Sequence, residues 1–277
     1  MPGPTTFDCK SFARFGRVAV LAIVLLASEA HATEPTGLSP DGDGRVVEIT
    51  DGDTVTLDDG VEVRLVGLQA PKLALGRRNF EDWPLAEEAR RALGRLVLGE
   101  TVELRFDGRR EDRHGRALAH LFRQTDDVWV QRAMLLQGMA RVYSFPDNRG
   151  AVTALLDAER IARVAGRGIW SHPFYRVRAP EQLADAIDTF QLVEGRVVDA
   201  ARVRGRVYLN FGADWREDFT ATVAPRDRRL FEREGHLLGQ QPVDDLAGRK
   251  VRVRGWVKSF NGPMIEVTHP EQIEWLD

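Results

Sequence analysis

The chain has 277 residues, with 39 basic and 42 acidic side chains, a formal net charge of −3, 43% hydrophobic and 29% charged residues. That balance excludes a disordered polyelectrolyte and a protein that holds nucleic acid by bulk positive charge, so any anion site must be a local patch. Its length favours two domains over one, and its single cysteine excludes a disulfide framework.

The N-terminal segment has the pattern of a secretory signal. Lys10, Arg14 and Arg17 precede an apolar run, Val18 to Ala27, and Ala30-His31-Ala32 offers the small residues a signal peptidase cuts after. The run is too short for the roughly 20 residues that span a bilayer. A cleaved signal over 1–32 is therefore expected, with a periplasmic or secreted product and no membrane attachment after cleavage. Cys9, the one cysteine, would leave with it, and removing three bases and two acids lowers the net charge by one unit.

A Pro/Gly/Asp-rich lead over 33–44 reads as flexible. Val47 and Ile49, then Val55 and Leu57, then Val61, Val63 and Leu65 alternate around Asp51-Gly52 and Asp59-Gly60, which predicts an antiparallel meander. A helix is expected over 84–99, with Leu85, Ala89, Ala92, Leu93, Leu96 and Val97 on one face. Strands at 101–107 and 116–122 flank a charged turn, and helices follow at 130–141 and 151–168. The proline-containing stretch 172–188 reads as a linker. Strands at 190–199, 205–212 and 218–224, a short helix at 226–234, and strands at 250–260 and 264–269 complete the chain. Five short strands with a helix before the last two suit a small OB-like barrel, here the domain 189–277. The fold class is α+β, mainly β.

Within the first meander Arg64 points away from Val63 and Leu65, whereas Asp53 shares the parity of the apolar Val55 and Leu57. A carboxylate there needs a partner. On these residues alone, Asp53 reads equally as a cap completing its Asp-Gly turn. Arg116, just after Gly115, begins a strand. Two arginines and an acid beside turns of one small barrel suit phosphate oxygens and a hard cation. His114 in the same turn is a further acid or base, or simply solvated.

The stretches DGDTVTL, VRLVGLQAP, EDRHGRALAHLF, QGMARVY and GRGIWS, in this order and spacing, resemble the staphylococcal nuclease (thermonuclease) family over residues 45–171. The resemblance implies a five-stranded OB-type barrel with three helices, and calcium-dependent phosphodiesterase activity on DNA and RNA. It implies that Asp53 is a metal ligand, that Ala70 offers a backbone carbonyl, and that Arg64 and Arg116 are catalytic, binding phosphate and stabilising the transition state. The pattern is broken at two acids. Gln69 stands where the family has a second calcium-ligating aspartate, and Lys72 where it has the glutamate that orients the attacking water. Three carboxylates become one carboxylate and one ammonium, which removes most of the attraction for Ca²⁺. Read forwards, Arg64, Lys72 and Arg116 form a metal-free phosphate-binding pocket. Asp51, Glu81, Asp82 and Glu87 are the acids available to replace those lost.

In the second barrel Arg202, Arg204, Arg206 and Tyr208 share one parity against Val203, Val207, Leu209 and Phe211, and Arg252, Arg254, Trp256 and Lys258 repeat it against Val251, Val253 and Val257. Together they are either a cationic face carrying aromatics, as in single-strand-binding barrels, or the charged outside of a half-exposed sheet. Three functions follow as expectations: a thermonuclease-like protein with a degraded site, weak or inactive and kept to bind nucleic acid or another polyanion; an active calcium-dependent endonuclease with a replacement acid; and a non-catalytic periplasmic interaction scaffold.

Overall fold

Period-two alternation and Asp-Gly turns dictate the first three strands. The computed structural model describes Met1, Gly3, Pro35, residues 37–240 and residues 242–277. The expected signal segment, apart from Met1 and Gly3, and with it Cys9, lies outside the described residues. No helix among the described residues is long and apolar enough to cross a membrane. The described residues from Pro35 onwards form one compact unit with two separate hydrophobic cores.

The first barrel contains β1 (Ser39–Asp51), β2 (Thr54–Leu57), β3 (Glu62–Leu65), β4 (Leu68–Gln69), α1 (Ala86–Val97), β5 (Thr101–Phe106), β6 (Ala117–Arg123), β7 (Val128–Trp129), α2 (Val130–Leu136), β8 (Arg141–Val142) and α3 (Val152–Val164). The strand order β3-β2-β1-β5-β6 closes on itself through a parallel β3–β6 pairing, giving a five-stranded barrel around Val46, Val55, Val63, Leu65 and Leu121. The lead expected to be flexible instead enters β1 at Ser39, because residues 39–45 pair with β5.

α1 buries Ala89, Ala92, Leu93 and Val97 against this core. α2 is shorter than the 130–141 expected, for a steric reason. Gly138 has a φ of +69° and lies so close to the backbone of Arg167 that a Cβ would meet its carbonyl oxygen at 2.2 Å. The chain turns there and continues as β8, which pairs with β4 so that Arg141 stands opposite Gln69.

The second barrel comprises β9 (Phe190–Arg196), β10 (Asp199–Val203), β11 (Arg206–Asn210), β12 (Thr220–Val223), α4 (Pro225–Arg233), α5 (Leu237–Gln240), β13 (Lys250–Ser259), β14 (Pro263–Glu266) and β15 (Ile273–Trp275). β9 and β10 are two halves of one bent strand: the first pairs with β13 and the second with β11. The ring then runs β11-β12-β14-β13, with β12 and β14 parallel and α4 inserted after β12. The first barrel has the same order, with α1 inserted after β3 and β4, so both halves have the OB topology expected from the strand pattern. Leu183 and Ala186, from the segment between the barrels, bury in the second core.

The barrels are joined by buried charge. Glu159 of α3 accepts from the Val142 amide at 2.6 Å, from Arg163 at 2.5 Å and from both terminal nitrogens of Arg254 at 2.9 and 3.1 Å. Arg254 also reaches Glu274 at 2.6 Å. Close by, the buried His269 ring lies 2.7 Å from Ser144 Oγ and 2.9 Å from Thr268 Oγ1. Burial holds the His269 pKa down to about 3. In the unfolded chain it is about 6.5, so between these values the unfolded state binds the proton and the folded state does not. Stability therefore falls as pH drops through this window, by up to roughly 3–5 kcal/mol from this one group. Urea midpoints should decline from pH 7 to 4, and less steeply in His269→Gln. Equal slopes in the two proteins would refute a neutral buried imidazole.

Candidate functional site

The site is built at the β1–β2 turn. Asp51 Oδ1 accepts from the Asp53 amide at 2.9 Å, an Asx turn that the short side chain makes on its own backbone. Gly52 is required there because a Cβ would come 2.6 Å from that of Ala70. The turn drives Asp53 inward, where it is 0% exposed. A fully buried carboxylate must be paired, and this one is paired on every side. Lys72 Nζ donates to both carboxylate oxygens at 2.9 Å, the Ala70 amide donates to Oδ2 at 2.8 Å, and Arg64 forms an ion pair with Oδ1.

Arg64 comes from β3, paired opposite Thr54. Its guanidinium also donates to the carbonyls of Asp53 at 3.3 Å and Leu68 at 3.1 Å, so it ties β2 to the chain entering β4. Burial alone would raise the Asp53 pKa, but Arg64 and Lys72 together outweigh it and hold the carboxyl well below the usual carboxylate range. Lys72 is pushed down, chiefly by burial and against the pull of Asp53. Asp51, 3.9 Å from Lys72 Nζ, is raised by its own burial and then by the charge of Asp53. With all four groups ionised, the two acids and two bases of the corner cancel.

This donor set does not fit a calcium ion. Ca²⁺ takes six to eight oxygens, and the Asp53 oxygens are already committed to an ammonium, a guanidinium and an amide. Ala70, whose carbonyl the resemblance offered as a ligand, faces the carboxylate with its N–H instead. No group of three or more His, Cys, Asp or Glu able to hold a metal occurs among the described residues. The loop acids go elsewhere: Asp82 accepts from the Ala74 amide at 2.6 Å, Glu87 pairs with Arg90 at 2.8 Å, and Glu81 is exposed. Asp51 is the one replacement acid close to Lys72.

Arg116 immediately precedes β6, one residue before the Val63–Ala117 pair of the parallel β3–β6 register that sets Arg64 opposite Leu118. Its guanidinium is turned to Asp112 of its own turn, with Nε 2.8 Å from Oδ2. His114 is exposed and its ring accepts from Arg113 at 3.1 Å.

Sequence reasoning missed the role of Gln69. Its Oε1 accepts from Arg141 Nε at 3.1 Å and Nη2 at 2.8 Å, while Arg141 Nη1 reaches the carbonyl of Phe190 at 3.0 Å. Arg141 is buried over the rings of Phe190, Trp83 and Tyr175, and burial lowers its pKa to about 10. The glutamine thus holds a strut from the corner to the second barrel. The only signal for it was a basic residue in QGMARVY.

The expected basic face of the second barrel is corrected in two places. Arg204 and Gly205, both at positive φ, form the β10–β11 turn, so Arg202 and Arg206 lie on different strands. Arg254 is 1% exposed and bound to Glu159 and Glu274, and Arg252 pairs with Glu194 and Glu274. Trp256 Nε1 donates to Tyr143 of the first barrel at 2.9 Å. The ten-residue β13 curls around its barrel, so Arg254 and Trp256 in its middle face the first barrel, Trp256 remaining 41% exposed, while Lys258 near its end and Arg206 of β11 both pair with Glu266.

A closed OB barrel therefore carries Asp53, Arg64 and Lys72 in one ion-paired corner, with Arg116 held apart on Asp112. Residues 62–172 match the family model described as staphylococcal nuclease homologue. The chain is 34% identical over 137 residues to an uncharacterized endonuclease of Escherichia coli O157:H7, covering 48% of this chain and 80% of that one. It is 27% identical over 172 residues to a thermonuclease of Staphylococcus hyicus, covering 57% and 96%. An uncharacterized protein of Bacillus anthracis is 30% identical over 133 residues, covering 46% and 60%. The chain belongs to the staphylococcal nuclease homologue family.

Proposed function

We propose that this chain is an exported, non-hydrolysing member of its family that binds nucleic acid without cutting it. The observation that carries the reading is Lys72 Nζ at 2.9 Å from both oxygens of Asp53, an ammonium standing where a metal and an activated water would have to meet. Lys72 Nζ is committed as a donor to both Asp53 oxygens, although burial lowers its pKa. Binding is supported by the relatives' names, thermonuclease and endonuclease, and by two barrels of a topology that often holds oligonucleotides. Export rests on the basic-apolar-small pattern of residues 1–32. Arg64 and Arg116 keep the positions of phosphate-binding groups, each already paired with a carboxylate, so the corner by itself attracts phosphate weakly.

The hydrolytic alternative has one observation in its favour, the raised carboxyl of Asp51 beside Lys72. Cleavage of single-stranded DNA and RNA, with Ca²⁺ and with chelator, separates the two readings. The expected result is no cutting in either condition, with binding that survives chelator and weakens with salt. Ca²⁺-dependent cutting that disappears in Arg116→Ala would overturn the proposal.

A further inference from the structure

The second barrel lies outside the matched family region and has an open cleft of about 440 Å³ on the outer face of its sheet. Its floor is Tyr208, Asn210 and Thr220 on β11 and β12, with Met264 beside them on β14. Its walls are two exposed aromatics from different loops, Trp215 at 47% and Phe260 at 61% exposure. Exposed aromatics facing one cavity are unusual on a soluble surface and mark a place where flat rings are received. Polar groups at the floor are positioned: Asn210 accepts from Thr220 at 3.2 Å and donates to Asp199 at 3.3 Å.

Cations lead away from this cleft. A second groove shares Val203 and Tyr208 with it and adds Arg204, Arg206 and Pro225. Pro225 is the first residue of α4, whose next turns place Arg226, Arg229 and Arg233 along a third groove closed by Pro146 and Thr268. Those three arginines, at i, i+3 and i+7, lie on one helix face and are exposed. Arg216 stacks on Trp215 with its guanidinium 4.4 Å from the ring centroid, adding charge at the aromatic wall. Acids also lie along the path: Asp199 lines the cleft itself, Glu266 sits between Arg206 and Arg226, and Asp227 beside Arg226.

Aromatic walls followed by a row of arginines match one ligand chemistry, a chain of planar bases on an anionic backbone. We propose that the second barrel binds single-stranded nucleic acid, with a base stacked in the cleft of Tyr208, Trp215 and Phe260 and the backbone running over Arg204 and Arg206 onto the α4 arginines. A duplex keeps its bases stacked internally and has none to give the cleft. The reading is independent of the corner at Asp53, though it supplies the surface by which the protein proposed above would hold its ligand.

The test is fluorescence anisotropy of the full chain, in chelator, with a labelled 20-nucleotide single strand, the matching duplex and a neutral oligosaccharide. Tight binding of the single strand over the other two is expected. Trp215→Ala and Phe260→Ala should each weaken it roughly tenfold. The double variant Arg229→Ala/Arg233→Ala should reduce the slope of log K against log salt by about two. All four side chains are exposed, and an unchanged circular dichroism melt will show that the variants fold. Binding lost only in Arg116→Ala would overturn this inference and leave the nucleic-acid reading intact at the first barrel. Equal affinity for duplex, preference for the oligosaccharide, or aromatic variants without effect would each overturn it. No binding to any nucleic acid would overturn both readings.

Discussion

Lys72→Glu is expected to convert a metal-independent fold into one that needs calcium. In the native corner the Lys72 ammonium and the Arg64 guanidinium together neutralise a carboxylate that no water reaches. The substitution removes one cation and sets a third acid beside Asp51 and Asp53, so a buried charge loses its partner and gains a repelling neighbour. Breaking a buried pair in this way costs about 3–5 kcal/mol. Three carboxylates around one point are also a set of oxygens that Ca²⁺ accepts. In chelator the variant should melt well below wild type. Calcium at about 100 times its dissociation constant should restore about 2.7 kcal/mol. Wild type should melt at the same temperature in both conditions, and a calcium-induced rise in wild type would show that Lys72 does not hold the position. Hydrolysis is not expected to return with the metal, because Gln69 is committed to Arg141.

Glu159→Ala is expected to be at least as damaging, and in a different way. The carboxylate accepts from the Val142 amide, Arg163 and two nitrogens of Arg254, and all of these are buried or nearly so. Deleting it leaves Arg254, itself 1% exposed, with Glu274 as its remaining carboxylate. The loss should be about 3–5 kcal/mol, a fall in Tm of roughly 6–20 °C for a unit of this size. Since Glu159 is on α3 of the first barrel and Arg254 on β13 of the second, the cut falls between the two cores. Wild type should unfold in one transition by calorimetry and tryptophan fluorescence, and the variant in two. A loss under about 1 kcal/mol would mean that the pair contributes no more than an exposed ion pair does.

Much of this architecture was legible in short stretches. Asp51-Gly52 and Asp59-Gly60 marked the first two turns, the apolar face of 85–97 marked α1, and the spacing of strands around the helix after Ala224 marked the second OB barrel. The corner was legible as a set of residues, since Asp53, Arg64 and Lys72 do meet there. The same residues read as an open cationic pocket, whereas their charges are spent on one another. Parity along β13 correctly separated Val251, Val253 and Val257 from the basic residues, yet it carried no information on what the other face would meet.

What the sequence determined by itself is the local order: two β-rich halves, the turn that buries Asp53, and the loss of two acids at Gln69 and Lys72. These follow from alternation, turn chemistry and charge, which act between near neighbours. The tertiary structure alone decided that Lys72 reaches across 19 residues to close on Asp53, that Gln69 reaches across 72 to Arg141, and that Arg254 faces Glu159 across 95. It alone brought Trp215 and Phe260 to one cleft. Such meetings depend on how each barrel curls and how the two dock, and a strand's pattern of in and out does not say which neighbour lies outside.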